Sequence, residues 1–415
     1  MSKKARTILF YILVAIFLII APLVILYGEG YRFDFESGKI IETGGIFIKT
    51  YPKDAVILVN DKKAKTTSGL GRSVLIQNLV PKTYNIKISK LGYFSWEKNI
   101  KVDEKKVSEI DINLFKKTYE KELLAEEILN VFEIKNAFII ERKDGFFYYT
   151  PENNKEEFIV GVGDALILEN DLLLKKGTKY YLISGTTSKE FNDIGQSSFK
   201  KNDLNNLYYQ IEERLYKNNE LIKTNVQFYG LDRNTVYYFS NGILYKNEAK
   251  LTDVKLEIDE TKEYNLLFIY NRIFLNENNE KLYILDNNEF KKILNLNSCL
   301  EYSEWDGKIL LNTGNEIWVY FSKETNYPEF TSGNTLKLIA RYQDKIKDLY
   351  FINDKYYIFT KGNDLVVSEF DYRDRINTFT ILTNLNDAKM FFNYDSKNIY
   401  ILENNSLYSI LKIIL

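Results

Sequence analysis

From about Ile128 to Leu415 the chain repeats one local grammar: an apolar strand ending in Asn, Asp or Gly, a second strand, a third rich in Tyr or Phe, and a more polar fourth. The clearest copies are "DALILENDLLLKKGTKYYLISGTTSKEFND", "VQFYGLDRNTVYYFSNGILYKNEAKLTD" and "IKDLYFINDKYYIFTKGNDLVVSEFDYRDRINTFTIL"; others begin near Leu129, Ser197, Lys255, Cys299 and Ala388. These starts give eight candidate units with a mean period of about 36 residues, in the range of four-stranded propeller blades. A unit of this kind leaves a hydrophobic face that only its neighbours can cover, so stacking around an axis is the natural closure. Residues 128–415 are therefore predicted to form a β-propeller of seven or eight blades. Eight is favoured, although Leu256 to Leu311 divides in more than one way. The last unit, "AKMFFNYDSKNIYILENNSLYSILKIIL", shows only three strands. Residues 116–127 are read as a linker or a propeller-closing strand. Tyr119 to Leu124 resembles the polar fourth strand of other units, and pairing it with the C-terminal strands would cover an open edge. Its Glu and Leu content also suits a short helix.

Composition narrows the chemistry. The 415 residues suggest two or three domains, and 56 basic against 57 acidic residues offer no concentrated positive surface for nucleic acid. There is no histidine, which removes the usual general base, the usual partner of a nucleophilic Ser or Cys, and the commonest zinc ligand. The single cysteine, Cys299 in "NSCLEY", permits no intrachain disulfide and reads as a buried small hydrophobe. Asn- and Asp-rich stretches such as "DNNE" at Asp286 and "ENNE" at Glu277 lack the alternating ligands, central Gly and distant Glu of a calcium loop, and read as hairpin tips. The doublets Tyr180-Tyr181, Tyr208-Tyr209, Tyr237-Tyr238 and Tyr356-Tyr357 invite a sugar-stacking interpretation. Adjacent strand residues face opposite ways, so one of each pair must enter an inter-sheet layer, and packing is the better account. Trp305 and Trp318 suit either core or surface. No catalytic, cofactor-binding or metal-ligating residue is assigned.

At the other end, Ile8 to Tyr27 is an uncharged run, "ILFYILVAIFLIIAPLVILY". At about 1.5 Å per residue it matches a hydrocarbon slab roughly 30 Å thick. It is too long for a signal-peptide core of about 7–15 residues and has no small-residue cleavage site after it. Lys3, Lys4 and Arg6 precede it, so the positive-inside rule leaves residues 1–7 in the cytoplasm, 8–27 in the membrane and the rest outside.

Beyond the membrane, the juxtamembrane segment 28–43 alternates Tyr31, Phe33 and Phe35 with Arg32, Asp34 and Glu36, the period of a half-buried strand, with a turn at Ser37-Gly38. Alternation continues at Tyr84, Ile86 and Ile88, and at Ile110, Ile112 and Leu114, so residues 44–115 read as a compact antiparallel module. "SGLGRS", Ser68 to Ser73, lacks the following helix of a phosphate loop and reads as a hairpin loop. Pro52, Ala55, Leu79, Pro81, Tyr84, Gly92 and Tyr93, in this order and spacing, resemble the PEGA domain. Asp54, Lys62 and Lys82 stand where that family usually has glycine. The resemblance implies a small β-sandwich-like module of prokaryotic extracytoplasmic proteins, and so a location more than an activity. Pro52 is expected at the start of the strand that follows it.

The mainly-β chain is thus expected to be a non-enzymatic, membrane-anchored cell-envelope protein. Its PEGA-like module would be a spacer or surface-binding unit, and its propeller a platform for an envelope protein or a cell-surface glycan. The alternative is a carboxylate-dependent glycan-active enzyme with its site at the propeller channel, which needs two carboxyl groups roughly 5–10 Å apart.

Overall fold

The computed structural model describes residues 3–34, 38–67, 71–134, 137–161, 164–168, 171–176, 179–184, 187–191, 198–203, 206–218, 220–233, 235–297, 300–411 and 413. Cys299, Ser37, Phe35 and the tip of the Ser68–Ser73 loop lie outside them. Among the described residues the chain is mainly β with one helix, and it divides into two compact units, Met1–Thr118 with Asp374–Phe379, and Tyr119–Arg373 with Thr380–Ile413.

In the first unit the helix Lys3–Gly28 contains Pro22, and its stretch Arg6–Gly28 is long and apolar enough to cross a membrane. Tyr31–Asp34 then pairs antiparallel with Lys39–Glu42. The half-buried face expected here forms only in part: Tyr31 is half-buried, but Phe33 is not. Phe33 and Ile40 are cross-strand partners, yet they are 51% and 58% exposed, because this two-stranded ribbon pairs only with itself.

Two further sheets follow, a three-stranded one in the order Ser73–Leu79, Gly44–Tyr51, Val107–Asn113, and a four-stranded one in the order Lys62–Thr66, Val56–Val59, Thr83–Ser89, Trp96–Lys101. The alternating side chains Ile46 and Ile48, Tyr84, Ile86 and Ile88, and Ile110 and Ile112 are all buried. One expectation is corrected: Gly44–Tyr51 lies parallel to Val107–Asn113, so the module is not antiparallel throughout. A parallel pair needs a long crossover, and the intervening four-stranded sheet supplies it. Pro52 also sits short of the strand that begins at Val56, in the connection from Tyr51. There Asp54 takes the left-handed conformation (φ 65°) that glycine usually supplies, which Asp tolerates. The next hairpin turns on Asn60 and Asp61 (φ 47° and 61°), leaving Lys62 to start a strand.

In the second unit seven stretches, 130–160, 164–191, 198–223, 228–250, 264–295, 301–341 and 346–382, each form a four-stranded antiparallel meander, here sheets 1 to 7. Sheet 8 contains Lys389–Phe392, Ile399–Glu403 and Ser406–Ile410, and its fourth strand is Glu122–Ala125, paired antiparallel with Ser406–Ile410. Within the segment before sheet 1, Glu122–Ala125 is therefore strand, not helix.

Buried apolar clusters join consecutive sheets. Leu174 and Ile183 of sheet 2 pack with Ile139 and Phe146 of sheet 1. Phe274 and Leu282 of sheet 5 pack with Ile309 and Leu311 of sheet 6. Phe391, Tyr400 and Leu407 of sheet 8 pack with Val131, Phe138 and Ile140 of sheet 1. The tyrosine doublets are part of this construction. Tyr209 packs with Leu173 and Tyr180 of the preceding sheet, while Tyr208 packs with Tyr229 and Tyr238 of the following one. Gly230 marks a close approach of this kind: a Cβ there would meet Leu266 Cβ at 2.8 Å and Phe268 Cε2 at 2.9 Å.

Two substitutions test this packing through urea unfolding of the detergent-purified chain. Leu407→Ala, which empties a fully buried site between sheets 8 and 1, should cost about 2–5 kcal/mol. Gly230→Ala should cost about 1–3 kcal/mol by overpacking. Wild-type midpoints for both would contradict the inter-sheet contacts.

Candidate functional site

The first strands of sheets 6, 7 and 8 carry a run of carboxyl and hydroxyl groups that bind one another. Glu301 accepts from Asn312 Nδ2 at 3.0 Å, and the same amide reaches Ile346 O at 2.8 Å. Asp348 occupies an irregularity in the strand pairing between Lys347 and Tyr350, with φ 53°. Such a bulge re-aims a side chain, and here the carboxylate accepts from Met390 N of sheet 8 at 3.0 Å and from Thr360 Oγ1 at 3.3 Å. Ser303 Oγ accepts from Phe351 N at 2.7 Å and lies 3.0 Å from the Tyr394 hydroxyl. Burial raises the carboxyl groups of Glu301 and Asp348, with hydrogen bonds opposing it in both cases. Glu133, on the first strand of sheet 1, is pushed up to about 7 by burial, with the Lys389 ammonium working against the shift. Asn312, Asp348 and Ser303 tie neighbouring sheets together, and Glu301 Oε2 and Asp348 Oδ2 are engaged internally.

More open surface lies at the ends of these strands. Trp305 and Tyr394 stack with centroids 6.4 Å apart, and Lys397 Nζ sits 5.2 Å from the Trp305 ring, 5.8 Å from Tyr394 and 6.0 Å from Phe392. Beside them, Glu304 lines a cleft of about 620 Å³ together with Asp232, Arg233, Lys246, Tyr270 and Arg272 from sheets 4 and 5. Arg272 Nη2 donates to Ser322 O at 3.3 Å. Burial alone raises the Glu304 carboxyl. A second cleft of about 670 Å³, between sheets 3, 4 and 5, is lined by Gln210, Glu212, Glu213, Glu260, Lys262 and Glu263 and is predominantly acidic.

Backbone conformation marks three of the residues there. Most non-glycine residues with positive φ are Asn or Asp at hairpin tips, including Asn278-Asn279 and Asn287-Asn288 of the two Asn-rich stretches. At the connections between first and second strands, however, Arg233 (φ 51°), Tyr270 (φ 47°) and Lys397 (φ 60°) take that conformation, at a cost of roughly 1–2 kcal/mol each. Strain of this sort concentrates at functional sites.

No site residue was assigned from sequence, and several singled-out residues prove structural. Glu277 accepts from Lys262, Lys281 and Tyr283, each at 2.8 Å; burial works against its ionisation, but these bonds prevail and hold it at about 2. The Trp318 indole donates to Glu316 at 2.8 Å. All four doublets have at least one tyrosine buried. Trp305 is half-buried, packed against the core between sheets 6 and 7 and stacked on Tyr394. Arg233, Tyr270 and Lys397 were missed, although "DRNT", "YNR" and "DSKN" each put a bulky residue at a turn position that Asn or Gly fills elsewhere. Among the described residues no group of three or more Asp, Glu or Cys side chains is arranged to hold a metal ion.

No protein-family model matches the chain, and no curated protein matches it. Solved structures similar to it include the computationally designed Ika8 protein (TM-score 0.43, 10% identity, 72% of this chain and 99% of that one). A streptogramin B lyase gives TM-score 0.42 at 9% identity over 70% and 96%. YCF48 from Cyanidioschyzon merolae gives 0.40 at 8% over 71% and 98%. Likenesses at this level carry no argument for fold or function.

The Glu133 shift has a definite sign. Its pKa rises from 4.5 to about 7 on folding, so the unfolded chain releases the proton first and stability falls as pH rises through this window. The contribution is complete below about pH 4.5 and lost above about pH 7. Glu133→Gln should flatten the urea midpoint over that range and raise it at pH 8. An unchanged slope would contradict a buried neutral carboxyl.

Proposed function

We propose that this chain is a non-enzymatic, single-pass membrane protein of the cell envelope, with a cytoplasmic N-terminus and the remainder extracytoplasmic. Its apolar helix is the anchor, residues 44–115 are a PEGA-like spacer or surface-binding module, and sheets 1 to 8 form an eight-bladed propeller that displays a binding face to an envelope protein or a cell-surface glycan. The anchor reading is supported by Lys3, Lys4 and Arg6 before an uncharged run. The propeller reading is supported by packing between consecutive sheets, by packing of sheet 8 on sheet 1, and by pairing of Glu122–Ala125 with the last strand. The observation that carries the binding role is the contrast within one region. Glu301 Oε2 and Asp348 Oδ2 accept internal hydrogen bonds, whereas Arg233 and Tyr270 line an open cleft.

A second reading, a carboxylate-dependent glycan hydrolase, draws on Glu133, whose pKa of about 7 suits a general acid. Glycan hydrolysis by the purified chain, abolished by Glu133→Gln, would favour that reading over the first.

Topology is tested with Asn404→Cys, at a hairpin tip, in a Cys299→Ser background. A membrane-impermeant maleimide should label it in intact cells. Labelling only after lysis would overturn the extracytoplasmic assignment.

A further inference from the structure

We infer that the cleft bounded by the tips of sheets 4 and 5 binds an acidic oligosaccharide, with Arg233 and Arg272 holding a sugar carboxylate and Tyr270 stacking on a ring. The inference rests on the platform reading above and names the ligand class of its open face.

Charge comes first. Arg233, Lys246 and Arg272 line the cleft together with Asp232 and Glu304, an excess of one positive charge when every group is ionised. Among the described residues no carboxylate lies within 4.0 Å of either guanidinium. Arg272 makes one bond, to Ser322 O, which fixes its direction and leaves its other N–H groups available. Arg233 is exposed at its turn. A guanidinium presents a planar fork that fits a carboxylate through two parallel bonds, so two guanidinium groups without a carboxylate partner in one concavity favour an oxyanion over a neutral ligand.

Shape supplies the second part. The cleft, about 620 Å³ in volume, is within the range of small-molecule sites. Tyr270 is 39% exposed at its rim and Phe268 lies in the wall. An aromatic ring beside cationic forks suits a sugar, which has apolar C–H faces as well as polar edges. A bare inorganic anion would make no use of the ring. The left-handed backbone at Arg233 and Tyr270 brings both side chains to the same cleft from two separate hairpins.

The test uses the full chain in detergent micelles, titrated calorimetrically with tri-galacturonate, a neutral trisaccharide and inorganic phosphate in turn. Tri-galacturonate should bind at least tenfold more tightly than either alternative, and more weakly as salt is raised. Arg233→Gln combined with Arg272→Gln should reduce its affinity at least tenfold with the urea midpoint unchanged, and Arg233→Lys alone should give an intermediate loss, because charge remains without the fork. Tyr270→Ala should weaken the trisaccharide but leave phosphate unaffected. Absence of tri-galacturonate binding, equal binding of the neutral sugar, binding of phosphate as tight as that of the acid sugar, or indifference to the arginine changes would each overturn the inference. A parallel incubation of the immobilised wild-type chain with an isolated envelope fraction separates the two claims. Retention of an envelope component by both wild type and the double arginine variant refutes the cleft and keeps the platform, whereas retention of nothing refutes the platform itself.

Discussion

Burial of each sheet's apolar side chains by the next sheet is the interaction on which the second unit depends. A single four-stranded meander has two faces and cannot hide both by itself. Here the faces are shared: Tyr209 belongs to the layer before its sheet and Tyr208 to the layer after it, and Tyr238 and Tyr237 divide in the same way one sheet later. Large rings suit this role because each removes a broad area from water in one rigid piece. Their abundance, 32 Tyr and 27 Phe, is therefore a packing requirement before it is a binding resource.

With packing settled by the strands, the connections are free to vary. Most hairpin tips use Asn, Asp or Gly, which take left-handed conformations at little cost. Arg233, Tyr270 and Lys397 break that pattern on the connections from first to second strands. The carboxyl-rich first strands show the opposite economy, since Asp348 uses its bulge to bond a backbone N–H of the neighbouring sheet and so serves cohesion. Function is accordingly sought at the tips and not among the buried acids.

Much of this was legible in the sequence because its periodicities are local. Alternation located the buried faces at Tyr84, Ile86 and Ile88 and at Ile110 and Ile112, and the strand grammar found eight units, most starting within a few residues of the observed sheets. The start near Lys255 was early, since the strand begins at Tyr264 after a long non-strand approach from Lys250. The parallel pairing of Gly44–Tyr51 with Val107–Asn113 was invisible, because pairing between distant strands leaves no local period. The exposed Phe33 was misread for a related reason: alternation reports that a strand has two unlike faces, not that anything covers the apolar one. The cleft combines residues of three sheets, between Asp232 and Glu304, so only its odd turn residues left a trace.

The proposed ring stands or falls on the junction between Glu122–Ala125 and the final strand, where Leu123 faces Tyr408 across an antiparallel pair. Partners across adjacent strands lie within the Cα separation that a disulfide spans, about 4.4–6.8 Å. The most direct measurement is therefore oxidation of the full chain carrying Leu123→Cys and Tyr408→Cys with Cys299→Ser, read by mass spectrometry of the proteolysed product. A disulfide-linked peptide pair joining residues 123 and 408, formed within one chain and in high yield, is the predicted result. Free thiols at both positions under the same oxidation, in a chain that unfolds at the wild-type urea midpoint, would contradict the closure.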